Sequence, residues 1–173
     1  MTLHLSVQFA SAAAHLPSRA QVRRWALAAH AGNAGAGDGV VTIRYVDEKE
    51  GRALNRDFRG KDYATNVLTF VHEPLTSRAG STVRHSSLVI RPAAQPYQAD
   101  IAICAPVIAR EAREQKKAVH DHHAHMVVHG MLHAQGFDHE DATEAAAMEA
   151  IGNPMTLATN GTVREARGLT SRM

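Results

Sequence analysis

The sequence predicts a compact α/β or α+β domain, and three observations carry that class. Short apolar stretches of two-residue period, beginning with Leu3, Leu5, Val7 and Phe9, read as half-buried strands. They alternate with longer stretches of helical period, several opened by a capping residue or a proline. The 173 residues are 45% hydrophobic and 21% charged, which suits a soluble globular protein long enough to bury a real core, and no repeat at solenoid spacing interrupts them. Residues 1–153 therefore read as one domain, and 154–173, where periodicity fades, as a loose and mildly basic tail.

In chain order, the first strand covers Leu3 to Phe9. Pro17 and Ser18 then open a helix with Val22, Trp25, Ala26 and Ala29 on one face. Gly32 to Asp38, rich in Gly, Ala and Asn, reads as a loop. Val40 to Val46 is a second strand, and Asp47 is placed to cap a helix running to about Phe58. Arg59-Gly60-Lys61-Asp62 forms a polar turn before a third strand from Thr65 to Val71. Glu73 to Gln98 holds three prolines, and from Pro74 to Ala99 it has no acidic residue, so it reads as a basic surface loop or phosphate-meeting flap, with a short strand at Ser87 to Ile90. Asp100 to Cys104 is the next strand, and Pro106 stands near the start of a helix through Arg110, Glu111 and Lys117. A helix from Val119 or His120 to about Gln135 follows, with Ala124, Val127, Val128, Met131 and Leu132 as its apolar face. A fifth helix, Asp141 to Ile151, is stopped by Gly152, Asn153 and Pro154.

The formal net charge of +2 permits nucleic-acid binding without demanding it. The single Cys104 rules out an internal disulfide and suits a reducing compartment. No apolar run approaches the roughly 20 residues of a membrane span. The alanine-rich N-terminus lacks a basic leader, and polar residues interrupt it. These features point to a cytoplasmic protein with no membrane partner.

The chemistry concentrates in His129-Gly-Met-Leu-His133-Ala-Gln-Gly136-Phe-Asp-His139. Two histidines four apart lie on one helix face, near enough to share a metal ion. Gly136 permits a left-handed turn that ends the helix and returns the chain, so that His139 can add a third ligand. Three imidazoles with an open fourth position for water describe a catalytic Zn2+ site, one ion per chain. Seven histidines fall between His120 and His139, so the set has to be chosen. His125 and His133 are about 12 Å apart along the axis at 1.5 Å rise per residue. That is too far for one ion with Zn–N bonds of about 2 Å. No turn follows the pair 125/129, whereas Gly136 and His139 follow the pair 129/133. His120, His122, His123 and His125 are read as solvent-facing, or at most weak secondary metal sites. Asp138 and Asp141 are candidates to accept the second ring N–H of a ligand histidine.

The spacing is that of the long zinc-protease motif, but Gly130 stands where the protease has its glutamate base. Peptide hydrolysis by that route is therefore disfavoured. A metal can still lower the pKa of its bound water or polarise a phosphoryl oxygen. Phosphodiester cleavage further asks for a cation, preferably Arg, to offset charge in the transition state. The expected unit is thus a metallo-hydrolase domain.

The motif His129-Gly-x-Leu-His133-x-x-Gly136-Phe-Asp-His139 resembles the signature of the YbeY family of bacterial endoribonucleases. A second block, Leu54-Asn55-x-x-Phe58-Arg59-Gly60-Lys61-Asp62-Tyr63-Ala64-Thr65-Asn66-Val67-Leu68-Thr69-Phe70, resembles the family's Leu-Asn, Arg-x-x-Asp and Thr-Asp-Val-Leu-Ser-Phe pattern. A third, Ala99-Asp100-Ile101 followed by Arg110-Glu111-Ala112, matches the strand and helix between the two. The resemblance implies a small, mostly parallel sheet of about four strands packed with about five helices. It places the metal site at a helix C-terminus, at the bottom of a cleft. It also implies zinc on the three histidines and a nuclease role for Arg59, which by its residues alone reads as a surface-turn arginine. Asn66 stands in place of the usual Asp, and Thr69 in place of Ser. These two, with Lys61 and Asp138, are candidates for contacts behind the ligands or with substrate.

What the likeness implies is a zinc-dependent, single-strand-specific endoribonuclease of ribosomal RNA, in 16S 3′-end maturation and ribosome quality control. Its partners would be ribosomal RNA, the small ribosomal subunit and protein adaptors. The alternatives are a ribosome-assembly factor whose zinc is mainly structural and a histidine-rich metal buffer.

Overall fold

In the computed structural model, residues 2–33, 37–72 and 96–137 are described. The elements run β1 (Leu3–Phe9), α1 (Arg19–Gly32), β2 (Gly39–Val46), α2 (Glu48–Arg59), β3 (Val67–His72), β4 (Tyr97–Cys104), α3 (Ala105–Glu114) and α4 (Val119–Ala134). The strands form one sheet in the order β1-β2-β4-β3. β1, β2 and β4 are parallel, and β3 pairs antiparallel with β4, from Val67 opposite Ile103 to His72 opposite Gln98. The mostly parallel four-stranded sheet is thus present, with four helices among the described residues. The expected strand at Ser87 to Ile90, the helix at Asp141 to Ile151 and the tail lie outside those residues.

Local signals account for most boundaries. Ser18 caps α1 in a reciprocal box: its hydroxyl accepts from the Gln21 amide, and Gln21 Oε1 accepts from the Ser18 amide at 2.8 Å. Asp47 caps α2 through the Glu50 amide at 2.8 Å. At the other end of α2, Gly60 takes the left-handed conformation, φ 69°.

Three expected boundaries move by two residues or more. β4 starts at Tyr97, not Asp100, because Tyr97–Ala99 complete the ladder against Gly39–Val41 of β2. β3 starts at Val67, not Thr65, because the Asn66 side chain takes the Val67 amide at 2.7 Å, while the Asn66 carbonyl accepts from the Cys104 amide. α3 stops at Glu114 because Lys116 turns left-handed at φ 54°, so Lys117 lies beyond the helix.

The main core lies between one sheet face and the pair α1/α4. Val41, Ile43, Tyr45, Ile101 and Ile103 meet Val22, Trp25, Ala26 and Ala29 from α1, and Val127, Val128, Met131 and Leu132 from α4. Each fully buried large aliphatic stabilises by about 1.5–3 kcal/mol. The opposite face is covered by α2, while α3 packs chiefly against α4 and sends Val107 to the α2 side. There Val46, Cys104 and Val107 form a smaller cluster, and Gly51 lets α2 approach the Cys104 thiol.

α4 corrects the expectation that its four N-terminal histidines face solvent. His122 and His123 are only 4% and 2% exposed. His123 stands beside Tyr45 of β2 with ring centroids 5.5 Å apart, and burial lowers its pKa to about 4. His120 is exposed but engaged, 2.7 Å from Gln21 Nε2 and edge-on to Trp25. Apart from Val119 and His120 at its start, α4 reaches solvent only along Asp121, His125, His129 and His133, a stripe at four-residue steps. A single apolar face, as periodicity suggested, understates a helix enclosed on every other side.

Candidate metal centre and its surroundings

His129 and His133 stand near the C-terminal end of that stripe. Their Nε2 atoms face each other at 3.1 Å, with the rings edge to face at 80°. Two Zn–N bonds of 2.0–2.1 Å at the tetrahedral angle would set their nitrogens about 3.3 Å apart. The pair therefore fits a single tetrahedral ion with little adjustment. Among the described residues no third His, Cys, Asp or Glu joins them. His139 and Asp138 lie outside those residues, as does Asp141.

A fully formed Schellman turn ends α4. Gly136 adopts φ 94°, its amide donates to the His133 carbonyl at 3.0 Å, and the Phe137 amide donates to the Leu132 carbonyl at 3.1 Å. Phe137 then packs against the main core, which anchors the exit from the helix.

Gly130 is buried against the sheet. A Cβ at this position would lie 2.8 Å from Ile101 Cγ2 and 3.4 Å from Thr69 Oγ1. The position that holds the protease base thus points into the sheet, where a glutamate has no space. Thr69 Oγ1 lies 3.5 Å from the Gly130 carbonyl, so the expected Thr69 sits directly beneath the helix turn that carries His129.

Asn66 belongs to a neighbouring polar network. Its Nδ2 donates to both Glu111 oxygens at 3.1 and 3.2 Å, and His122 Nε2 donates to Glu111 Oε2 at 2.8 Å. One carboxylate of α3 thereby ties the start of β3 to α4. From His122 a file of rings continues through His125 to His129, with centroids 6.4 and 6.2 Å apart. With Asn at position 66 the site has one negative charge fewer, and the amide supplies a donor that Asp lacks. Glu111 and His122 were absent from the sequence-based site. Glu111 does fall within the third matching block.

Arg59 ends α2 and is exposed, as is Lys61 two residues on. Neither makes an ion pair or a side-chain hydrogen bond with the described residues. The turn holding them is nonetheless rigidly built. Buried Asn55 donates through Nδ2 to the Tyr63 carbonyl at 2.7 Å, and its backbone carbonyl accepts from the Lys61 amide at 3.3 Å. Arg52 closes the turn with a bidentate pair to Asp62, whose hydrogen bonds hold that carboxyl below the usual range. Asn55 too went unassigned in the sequence, although it stands in the second matching block.

Comparison with known proteins gives this arrangement its family. The family model for endoribonuclease YbeY matches residues 11–158. The chain is 49% identical over 152 residues to the Endoribonuclease YbeY of Aromatoleum aromaticum, spanning 86% of this chain and 83% of that protein. With the protein of that name from Cupriavidus pinatubonensis it is 47% identical over 138 residues, covering 80% of this chain but only 58% of the longer relative. A solution structure from Thermotoga maritima shares the fold, with a TM-score of 0.54 at 20% identity, covering 97% of this chain and 99% of that one. Family model and curated relatives agree, and the chain belongs to the endoribonuclease YbeY family.

Proposed function

We propose that this chain is a zinc-dependent, single-strand-specific endoribonuclease acting on ribosomal RNA precursors in 16S 3′-end maturation and ribosome quality control. The observation that carries the reading is the facing pair of Nε2 atoms on His129 and His133, on the solvent-reaching stripe of an otherwise enclosed helix. His139 completes the ligand set. A bound zinc ion supplies Lewis acidity toward a phosphoryl oxygen and acidifies a coordinated water. Arg59, and Lys61 beside it, offer phosphate two cations uncompensated by the described residues, with the planar Arg fork suited to two oxygens. Asn66 and Thr69 act from behind: Asn66 fixes the Glu111–His122 tie, and Thr69 seats the His129 turn. The partners proposed are ribosomal RNA, the small ribosomal subunit and protein adaptors, in the cytoplasm. Among the described residues no helix is long and apolar enough to cross a membrane.

The test is cleavage of a purified 16S 3′-precursor by wild type and His133→Ala, with and without added zinc. Zinc-dependent cleavage lost in the variant supports the reading, and equal cleavage by both removes it. Product ends report the chemistry: a 2′,3′-cyclic phosphate signals attack by the RNA 2′-hydroxyl, its absence attack by water. Growth complementation by an Arg59→Ala variant that no longer cleaves would instead favour an assembly factor with a mainly structural zinc.

A further inference from the structure

Phe58, the penultimate residue of α2, is 47% exposed although it is a large apolar side chain among charged neighbours. It meets Phe70 of β3 edge to face, with ring centroids 4.9 Å apart at 60°. Such a pair sets the edge of one ring against the face of the other and leaves about half of the Phe58 side chain to solvent. Tyr63, on the turn that buried Asn55 holds, is 55% exposed. Four cations and two acids stand between Arg52 and Tyr63. Arg52 is paired with Asp62 and Arg56 with Asp57, which leaves Arg59 and Lys61 as the net positive charge.

Among the described residues β3 is an edge strand of the four-stranded sheet. Thr69 points from it to the α4 face, and Phe70, the next residue, to the α2 face. The aromatic pair and the histidine pair therefore lie on either side of one strand edge.

We propose that Phe58, backed by Phe70, is a stacking platform for unpaired RNA bases, with Arg59 and Lys61 holding the adjoining phosphates. Exposed aromatics next to uncompensated cations are the recurring composition of single-strand binding surfaces, because every base has a π-face while a duplex hides it. An apolar protein partner would use the rings but has no need of the cations, so charge complementarity selects nucleic acid. RNA passing round the β3 edge would present a phosphate to the histidines and the neighbouring bases to the rings. Single-strand preference thereby originates on the α2 face, away from the metal. The proposal rests on the nuclease reading for its substrate, and its test separates the two.

Binding of a fluorescent uridine oligomer is measured by anisotropy in chelator, so that cleavage plays no part. Phe58→Leu, which keeps an apolar side chain against Phe70, is expected to weaken binding about 5- to 100-fold, and Phe58→Trp to retain it. An abasic oligomer of equal length and charge should bind wild type and Phe58→Leu alike. Equal uridine binding by wild type and Phe58→Leu would overturn the platform, leave the nuclease reading intact and mark the rings as a protein-docking face. Phe58-dependent binding by a wild type that cleaves nothing in zinc would leave the platform and remove the nuclease reading. Failure of wild type to bind any single strand would overturn both.

Discussion

Gly130→Ala sets two effects of opposite sign against each other within one helix. In an open helix interior, Gly→Ala stabilises by about 0.8–1 kcal/mol through backbone entropy. Here the added methyl would stand 2.8 Å from Ile101 Cγ2 and 3.3 Å from its Cδ1. Carbon atoms in contact prefer about 3.5–4.0 Å, so the nearer approach overlaps by more than half an ångström. Ile101 is 1% exposed on β4, an interior strand, and its Cγ2 springs directly from a β-branched carbon with a stiff χ1. It has nowhere to swing, and forced overpacking of this kind costs about 1–3 kcal/mol. The overlap wins, and the expected net change is a loss of about 1 kcal/mol. It should come with a small outward shift of α4 that carries His129 and His133 away from Thr69. Urea unfolding at neutral pH in chelator measures it free of metal linkage. In the cycle with Ile101→Ala, which removes the obstructing methyl, Gly130→Ala should turn stabilising, a coupling of about 1–2 kcal/mol. A Gly130→Ala protein more stable than wild type in the native Ile101 background would refute the close-approach argument.

Two further substitutions probe the polar interior. His123 has its pKa lowered to about 4 by burial and by His122 and His120, against 6.5 unfolded. The neutral ring's contribution is therefore complete above pH 6.5 and lost as pH falls through 4, amounting to about 3 kcal/mol by pH 4. His123→Phe should lose correspondingly less stability between pH 7 and pH 4 by chemical denaturation, and parallel profiles would contradict the assignment. Asn66→Asp replaces a donor with a second carboxylate 3.1–3.2 Å from Glu111, so one carboxyl must bind a proton or the pair repel. That variant should be less stable at pH 8 by about 1–2 kcal/mol and recover as pH falls, because a raised carboxyl pKa yields stability only on the acid side. A deficit constant from pH 8 to pH 5 would show that the charge on Glu111 is immaterial.

Local rules, legible without a structure, determined much of this protein. Two-residue alternation marked β1, Ser18 and Asp47 marked the starts of α1 and α2, and Gly60 and Gly136 marked turns that only a left-handed residue makes easily. The i, i+4 spacing was enough to place His129 and His133 on one face, and the absence of a base at position 130 followed from a single letter. What needed tertiary structure is whatever depends on which surfaces meet across long sequence separations. Periodicity identifies residues that share a helix face, but it does not say how many faces are covered, so His122 and His123 read as solvated while α4 is enclosed. Tyr97–Ala99 join β4 because β2 offers backbone opposite them, from Gly39 to Val41, a partner 58 residues away. The Asn66–Glu111–His122 tie joins three elements, and the Phe58–Phe70 pair joins α2 to β3, each through side chains whose neighbours no local pattern names. Gly130 shows the division most sharply. The sequence alone showed that a base is missing there, and the packing of α4 on Ile101 showed that no base fits.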